Sequence, residues 1–165
     1  MTAPTNDPVD TFARLSAVLT GFTLATIKPG LDPVNLSKTY YDFVNAKSAT
    51  TLAQLLAAYL ENQSQPAQQL ANLLLETQAK TPSARAALAQ SIVRMWYLGS
   101  WYAPGDSQPT QVVSSQAYVG GLVWKAAQTH PMGYSEFTFG YWSKQPPPLN
   151  EFGVDVPPQA SGGKS

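Results

Sequence analysis

Helix start signals recur through the first hundred residues and largely decide which fold classes are open to this chain. An Asp-Pro pair occurs at 7–8 and again at 32–33, Pro66 precedes an Ala- and Leu-rich stretch, and Thr81-Pro82 precedes another. A short polar side chain followed by proline favours a capped first helical turn. Behind each signal, apolar residues recur every three or four positions, which predicts one buried face per helix. This pattern favours an all-α bundle with short connections.

Three local signals refine the expected helices. Thr50 or Thr51 is predicted to open a separate helix, and Gly99 is predicted to end a later one as a left-handed C-cap. One more helix is expected from Ser114 or Ser115 to about Ala127, and it contains two consecutive glycines, 120–121. Each glycine disfavours a helix by about 1 kcal/mol relative to alanine, so the pair indicates close approach of the backbone to a neighbour. No stretch alternates as a β-strand does.

The chain divides into two parts by composition. Residues 1–129 are expected to form one compact helical bundle of about five to six helices. From residue 130 onward the helical period is lost, and prolines and glycines become frequent. Residues 130–165 are therefore predicted to form an extended aromatic and Pro-rich arm with a flexible end.

Composition excludes several classes of function. Only 12% of residues are charged, with ten basic and ten acidic side chains, so no basic patch for nucleic acid or anionic lipid is expected. The chain has no cysteine and a single histidine, which excludes thiolate chemistry, Cys-ligated metal and covalent haem attachment. No apolar run approaches the length of a membrane span, and the first residues lack the pattern of an export signal.

Aromatic residues are concentrated in the second part of the chain. All four tryptophans lie between 96 and 142, together with many tyrosines and phenylalanines. Tryptophan and tyrosine are enriched at the energetic centres of protein interfaces, where charge is depleted. The segment is interpreted as a docking surface for another protein; a second half of the core and a carbohydrate-binding platform are the alternatives. The predicted partner-binding residues are Trp96, Tyr97, Trp101, Tyr118, Trp124, His130, Tyr134, Phe139, Tyr141 and Trp142.

No catalytic constellation stands out. The chain contains no G-x-G-x-x-G, no G-x-x-x-x-G-K-[ST] and no G-x-S-x-G. His130 is the one candidate base near neutral pH, and Ser114, Ser115 or Ser135 with Glu136 would complete a hydrolase triad around it. Nothing in the spacing favours that arrangement over a structural histidine. We therefore expect no catalytic, cofactor or metal site in this chain.

Two stretches carry a resemblance to a known family. The segment MWYLGSW at 95–101 and the segment from SSQAYVGGLVWKAAQTHP to FGYWSKQPPP at 114–148 resemble the small subunit of membrane-bound FAD-dependent sugar and sugar-alcohol dehydrogenases, the sorbitol, fructose and glucose dehydrogenase complexes. The resemblance implies a small subunit without a cofactor of its own. Its implied partners are a large FAD-containing catalytic subunit and a multihaem cytochrome c subunit, which would hold the FAD and the haem c.

The resemblance also implies a role and a location. Small subunits of this family resemble helpers that stabilise the catalytic subunit and assist its export through a twin-arginine signal, and their complexes lie on the periplasmic side of the inner membrane. This sequence contains no Arg-Arg pair, so the twin-arginine signal is missing from it. Because it also lacks cysteine, any association with the catalytic subunit is expected to be noncovalent.

Overall fold

A computed structural model describes residues 7–131, and the fold of this part is helical. Four of its helices pack against one another, and shorter elements lie around them. This arrangement confirms the all-α prediction. In chain order the elements are α1 (Pro8–Thr20), α2 (Leu24–Ile27), α3 (Leu36–Asn62), α4 (Ala67–Leu75), α5 (Ala84–Leu98), β1 (Ser100–Trp101), β2 (Gln111–Val112), α6 (Ser115–Val119) and α7 (Leu122–Ala126).

The first and fifth helices begin close to their sequence signals. The Asp7 carboxylate accepts the N–H of Val9 at 3.1 Å, with Pro8 as the first helical residue. Ser83, directly after the Thr-Pro pair, accepts the N–H of Ala86 at 3.2 Å and starts α5. Both caps satisfy backbone donors that the first helical turn leaves unpaired.

The third helix begins and continues differently from the prediction. Asn35 caps it, while the Asp32 carboxylate accepts the N–H groups of Val34 and Asn35 and so fixes the preceding turn. The helix boundary expected at Thr50 or Thr51 is wrong, since α3 runs through both threonines and is only kinked at Ser48. The chain has no glycine or proline between 35 and 65, so the helix resumes after one non-helical residue.

The core of the described part lies between α1, α3, α4 and α5. It contains aliphatic side chains from all four helices together with a few rings. Its largest fully buried side chains are Trp96, Tyr40, Phe12, Leu15, Ile27, Leu52, Leu55, Leu70, Leu74, Leu88, Ile92 and Met95. The apolar stripes that predict the helices are thus the faces that form this core.

The chain after α5 departs from the predicted pattern in two places. Strands β1 and β2 form a short antiparallel pair, which the sequence did not indicate. The single helix expected up to Ala127 is wrong, because Gly120 and Gly121 separate α6 from α7. Gly121 adopts an extended conformation, with φ −57° and ψ 130°, that ends any continuous helix. All but the first two residues of the predicted arm, 130–165, lie outside the described residues.

Candidate partner-binding surface

Helices α6 and α7 lie directly on the end of α5 because two glycines, Gly99 and Gly121, allow the backbones to touch, and a third, Gly120, faces Leu36 of α3. A Cβ on Gly99 would lie 2.6 Å from backbone atoms of Ala117, and one on Gly121 would lie 2.8 Å from the carbonyl oxygen of Tyr97. On Gly120 it would lie 2.5 Å from Cδ1 of Leu36. Such distances exclude any larger residue without a shift of the backbone or of Leu36. The close approach predicted from the glycine pair is therefore confirmed.

Three half-buried aromatic residues lie at this junction, and we call Tyr97, Tyr118 and Trp124 the aromatic cluster. The Trp124 indole donates a hydrogen bond from Nε1 to the carbonyl oxygen of Tyr118 at 2.7 Å. The rings of Tyr118 and Trp124 meet edge to face with centroids 5.3 Å apart and planes 76° apart. Because these planes are nearly perpendicular, the two rings do not share the flat face of a carbohydrate platform. A Cβ on Gly121 would lie 2.8 and 3.2 Å from the carbonyl oxygens of Tyr97 and Tyr118 and 3.4 Å from Nε1 of Trp124, so the glycine lies next to all three members of the cluster.

Tyr97 connects the aromatic cluster to the C-terminal end of α1. Its hydroxyl donates to the carbonyl oxygen of Thr20 at 3.1 Å, and its ring packs edge to face on Phe22 with 6.0 Å between centroids. Burial raises the pKa of the Tyr97 hydroxyl above its ordinary value. The phenol is therefore neutral at physiological pH and acts as a hydrogen-bond donor.

Two of the predicted partner-binding residues lie in the core of this chain instead. Trp96 is 2% exposed and Trp101 is 3% exposed. Trp96 packs against Tyr40, and Trp101 packs edge to face on Phe43 with 5.5 Å between centroids. Their rings leave almost no surface for a partner to touch, so we assign these two to the alternative interpretation, core packing.

Of the remaining predicted site residues, one lies within the described region and four lie outside it. His130 is half-buried, with Nδ1 3.0 Å from the carbonyl oxygen of Pro131. Of the serines considered for a triad, Ser114 accepts the N–H of Ala117 at 3.0 Å as the cap of α6. The predicted site residues outside the described region are Tyr134, Phe139, Tyr141 and Trp142, and so are Ser135 and Glu136 of the hydrolase alternative.

Comparison with known families identifies the chain. The family model described as membrane bound FAD containing D-sorbitol dehydrogenase matches residues 1–146. This chain belongs to that family. The match spans both the helical part and the aromatic segment, and it confirms the small-subunit resemblance. No curated protein and no solved structure matches the chain.

The described residues of this D-sorbitol dehydrogenase family member do not fit the flavin that the family description mentions. A groove of about 460 Å³ lies between the start of α1 and the part of α3 on both sides of its kink at Ser48. Its lining residues are uncharged and mostly Ala and Leu, with Thr11, Tyr41 and Asn45 supplying the polar groups. Dinucleotide cofactors are instead held by a glycine-rich turn at a helix N-terminus, within a βαβ unit. We therefore assign no flavin chemistry to residues 7–131.

Two structural features are absent from residues 7–131 of this family member. None of its helices in this part is long and apolar enough to cross a bilayer. No cluster of three or more His, Asp or Glu side chains occurs there that could hold a metal ion. The aromatic cluster remains the best-defined candidate site in this part of the chain.

Proposed function

We propose that this chain is a non-catalytic small subunit that binds and stabilises the FAD-containing catalytic subunit of a membrane-bound sugar-alcohol dehydrogenase. The aromatic cluster carries the proposal. Tyr97, Tyr118 and Trp124 are only half-buried, although other side chains already form the apolar core between α1, α3, α4 and α5. Trp and Tyr at a surface are the residues most often found at the energetic centre of a protein interface.

The local structure supports tight binding because the cluster is held in place before a partner arrives. The Trp124–Tyr118 hydrogen bond and the glycine contacts with α5 fix the two rings relative to the bundle. A side chain that is already ordered loses less conformational entropy on association, so more of the contact energy appears as affinity. The low charge of the chain has the same effect, since fewer ions lose water when the interface forms.

Stabilisation of the catalytic subunit would follow from binding alone. A small subunit that binds the folded flavoprotein and not its unfolded form raises the free energy of unfolding of that flavoprotein by mass action. We include Tyr141 and Trp142 in the proposed interface by their family resemblance, and Tyr134 and Phe139 because they belong to the same aromatic segment. The same proposal includes a multihaem cytochrome c partner, a periplasmic location and a role in export. The family resemblance implies all three, and the family description names a membrane-bound, FAD-containing enzyme.

Binding between purified subunits tests this function. Trp124→Ala should weaken the affinity for the flavoprotein subunit at least tenfold, because truncating an interface tryptophan commonly costs about 2 kcal/mol or more. Tyr102→Ala is the matched control: Tyr102 is also half-buried, but it packs on Arg94 beyond the cluster. Thermal unfolding of each variant shows whether the bundle is intact.

The flavoprotein expressed alone provides the second arm. We expect it to be less soluble, to unfold at a lower temperature and to lose FAD more readily than when it is coexpressed with this chain. A flavoprotein that folds, retains FAD and turns over equally well alone would contradict the stabilising role. Turnover of a sugar alcohol by the isolated small chain would contradict its non-catalytic assignment.

A further inference from the structure

The loop between α2 and α3, residues 28–35, presents an unusually exposed leucine. Leu31 is 95% exposed, the highest value among the exposed large hydrophobic residues of the described part, and Val34 in the same loop is 45% exposed. A single exposed leucine is common on protein surfaces. Leu31 differs from that ordinary case in the rigidity and the position of the loop that carries it.

Hydrogen bonds fix the part of the loop that follows Leu31 and join the two helices that it connects. The Asp32 carboxylate accepts the N–H of Asn35 at 2.7 Å and that of Val34 at 3.1 Å. Pro33 restricts the backbone between Asp32 and Val34. The Ser37 hydroxyl donates to the carbonyl oxygen of Ile27 at 2.9 Å and joins the end of α2 to the first turn of α3. Leu31 therefore directly precedes an ordered turn, which reduces the conformational entropy that the loop loses on binding.

The loop leads into the contact between α3 and the α6–α7 junction. Leu36, the first residue of α3, has its Cδ1 2.5 Å from the position that a Cβ on Gly120 would occupy. Leu31 precedes Leu36 by five residues, which a chain can span over at most about 17 Å. Leu31 and the aromatic cluster are therefore close enough for one protein interface of standard size to cover both.

The charges around the loop favour a protein partner over an anionic lipid surface. Lys28 pairs with Asp10 at 3.2 Å, and Lys38 pairs with Asp42 at 2.6 Å. Loops that attach to anionic membranes combine apolar residues with unpaired basic ones, whose attraction to the lipid supplies part of the affinity. With both lysines paired, the remaining charge of the loop is the Asp32 carboxylate beside Leu31, which disfavours an anionic lipid surface.

We propose that Leu31 is a second anchor of the interface with the FAD-containing catalytic subunit, inserted into an apolar pocket of that subunit beside the site of the aromatic cluster. This inference rests on the proposed function. It adds a contact from a different part of the chain, outside the aromatic segment. The partner surface is then expected to carry one pocket for rings and one for an aliphatic side chain.

Replacing Leu31 tests the proposal with a matched control. Leu31→Ser should weaken binding to the flavoprotein subunit about tenfold or more, because the leucine would no longer be transferred from water to an apolar pocket. Leu73→Ser makes the same change on α4, where Leu73 is 44% exposed, and should leave the affinity within about twofold. Both variants should unfold near the wild-type temperature.

The outcomes separate this inference from the function on which it rests. If the wild-type chain binds and Leu31→Ser binds as tightly as Leu73→Ser, the Leu31 anchor is overturned while the proposed function stands. If the wild-type chain itself does not bind the flavoprotein, the proposed function fails and the anchor fails with it.

A thiol label supplies an independent readout, because the chain has no cysteine of its own. Leu31→Cys can be labelled uniquely with an environment-sensitive fluorophore such as acrylodan before the flavoprotein is added. Burial of the label in the complex should shift its emission to shorter wavelength. The same shift on phosphatidylglycerol vesicles, without one on the flavoprotein, would overturn the proposal in favour of lipid contact.

Discussion

The indole of Trp96 meets the ring of Tyr40 edge to face, with 4.6 Å between the ring centroids and 84° between the ring planes. Both side chains are almost completely buried, and their contact joins α5 to α3. Within the described part of the chain, neither the Tyr40 hydroxyl nor the Trp96 indole N–H has a hydrogen-bond partner. The pair therefore stabilises the bundle through ring packing and not through its polar groups.

Tyr40→Phe should leave the stability at neutral pH unchanged or raise it. The substitution keeps the ring and removes a buried hydroxyl without a partner, so we expect the free energy of unfolding to rise by about 0–1 kcal/mol. Tyr40→Ala is the contrasting variant and should lower it by about 3–5 kcal/mol through the cavity it leaves. Urea unfolding measures both. A clear loss of stability in Tyr40→Phe would mean that the hydroxyl is hydrogen-bonded.

The alkaline pH dependence gives a second prediction for the same residue. Burial raises the pKa of the Tyr40 hydroxyl well above its ordinary value. A raised pKa in the folded state means that the free energy of unfolding is constant below about pH 10 and falls as the pH rises beyond it. Tyr59 and Tyr97 contribute the same sign more weakly. Tyr40→Phe should therefore lose less stability above pH 10 than the wild type does, as measured by urea unfolding at several pH values.

Gly99 and Gly21 allow the stability cost of backbone strain to be separated from the cost of steric crowding by a new side chain. Both end a helix in the left-handed conformation, with φ of 66° and 77°. A Cβ on Gly21 meets nothing within 4 Å, whereas on Gly99 it would lie 2.6 Å from the backbone of α6. Gly21→Ala should destabilise the chain by about 1 kcal/mol from backbone strain alone. Gly99→Ala should cost more than about 3 kcal/mol in urea unfolding, and equal losses would show that α6 can move away without cost.

In this chain, sequence prediction succeeds where the contacts that fix the structure join residues close in sequence, and fails where they join residues distant in sequence. The caps at Asp7 and Gly99 involve atoms within four residues, so the local sequence predicts them. At the break between α6 and α7, a Cβ on Gly120 would meet Leu36 and one on Gly121 would meet Tyr97, and no local pattern contains those contacts. The glycine pair indicated that a backbone comes close but not that the helix ends there.

The same limit applies to the aromatic site. Composition cannot separate a core ring from an interface ring, because burial and binding favour the same side chains. Trp96 and Trp101 are core residues because Tyr40 and Phe43 of α3 cover them. Tyr118 and Trp124 have no such cover from α3 and pack on each other. Leu31 was not predicted at all, since its significance depends on the exposure and rigidity of its loop.

Asp10 should make stability depend on pH in the acid range. The hydrogen bond from Arg14 lowers the pKa of Asp10, with Lys28 acting in the same direction and partial burial opposing them. The lowered pKa means that this stability is fully present above about pH 4 and is lost as the pH falls through the folded-state value. Because Arg14 and Lys28 are partly exposed, the contribution is at most about 1 kcal/mol.

Asp10→Asn should therefore lower the free energy of unfolding at neutral pH by up to about 1 kcal/mol, and the difference from wild type should vanish in strong acid. Asp42→Asn is the control, since the Asp42–Lys38 pair is more than half exposed on both sides and should contribute almost nothing. Urea unfolding at several pH values compares the two variants. A deficit in Asp10→Asn that persists in strong acid would indicate lost packing and not lost charge.

Tyr97 has two separable roles, and removing its hydroxyl distinguishes them. Its hydroxyl holds the end of α1 through Thr20, while its ring belongs to the aromatic cluster. Tyr97→Phe should lower the free energy of unfolding by about 1 kcal/mol, because the Thr20 carbonyl loses its donor. Tyr102→Phe is the control, since the Tyr102 hydroxyl has no hydrogen bond within the described residues. Because the ring remains, flavoprotein affinity should stay within about twofold of wild type in both variants. An affinity that falls in Tyr97→Phe alone would mean that the hydroxyl contacts the flavoprotein, and that its bond to Thr20 is the less important of its two contacts.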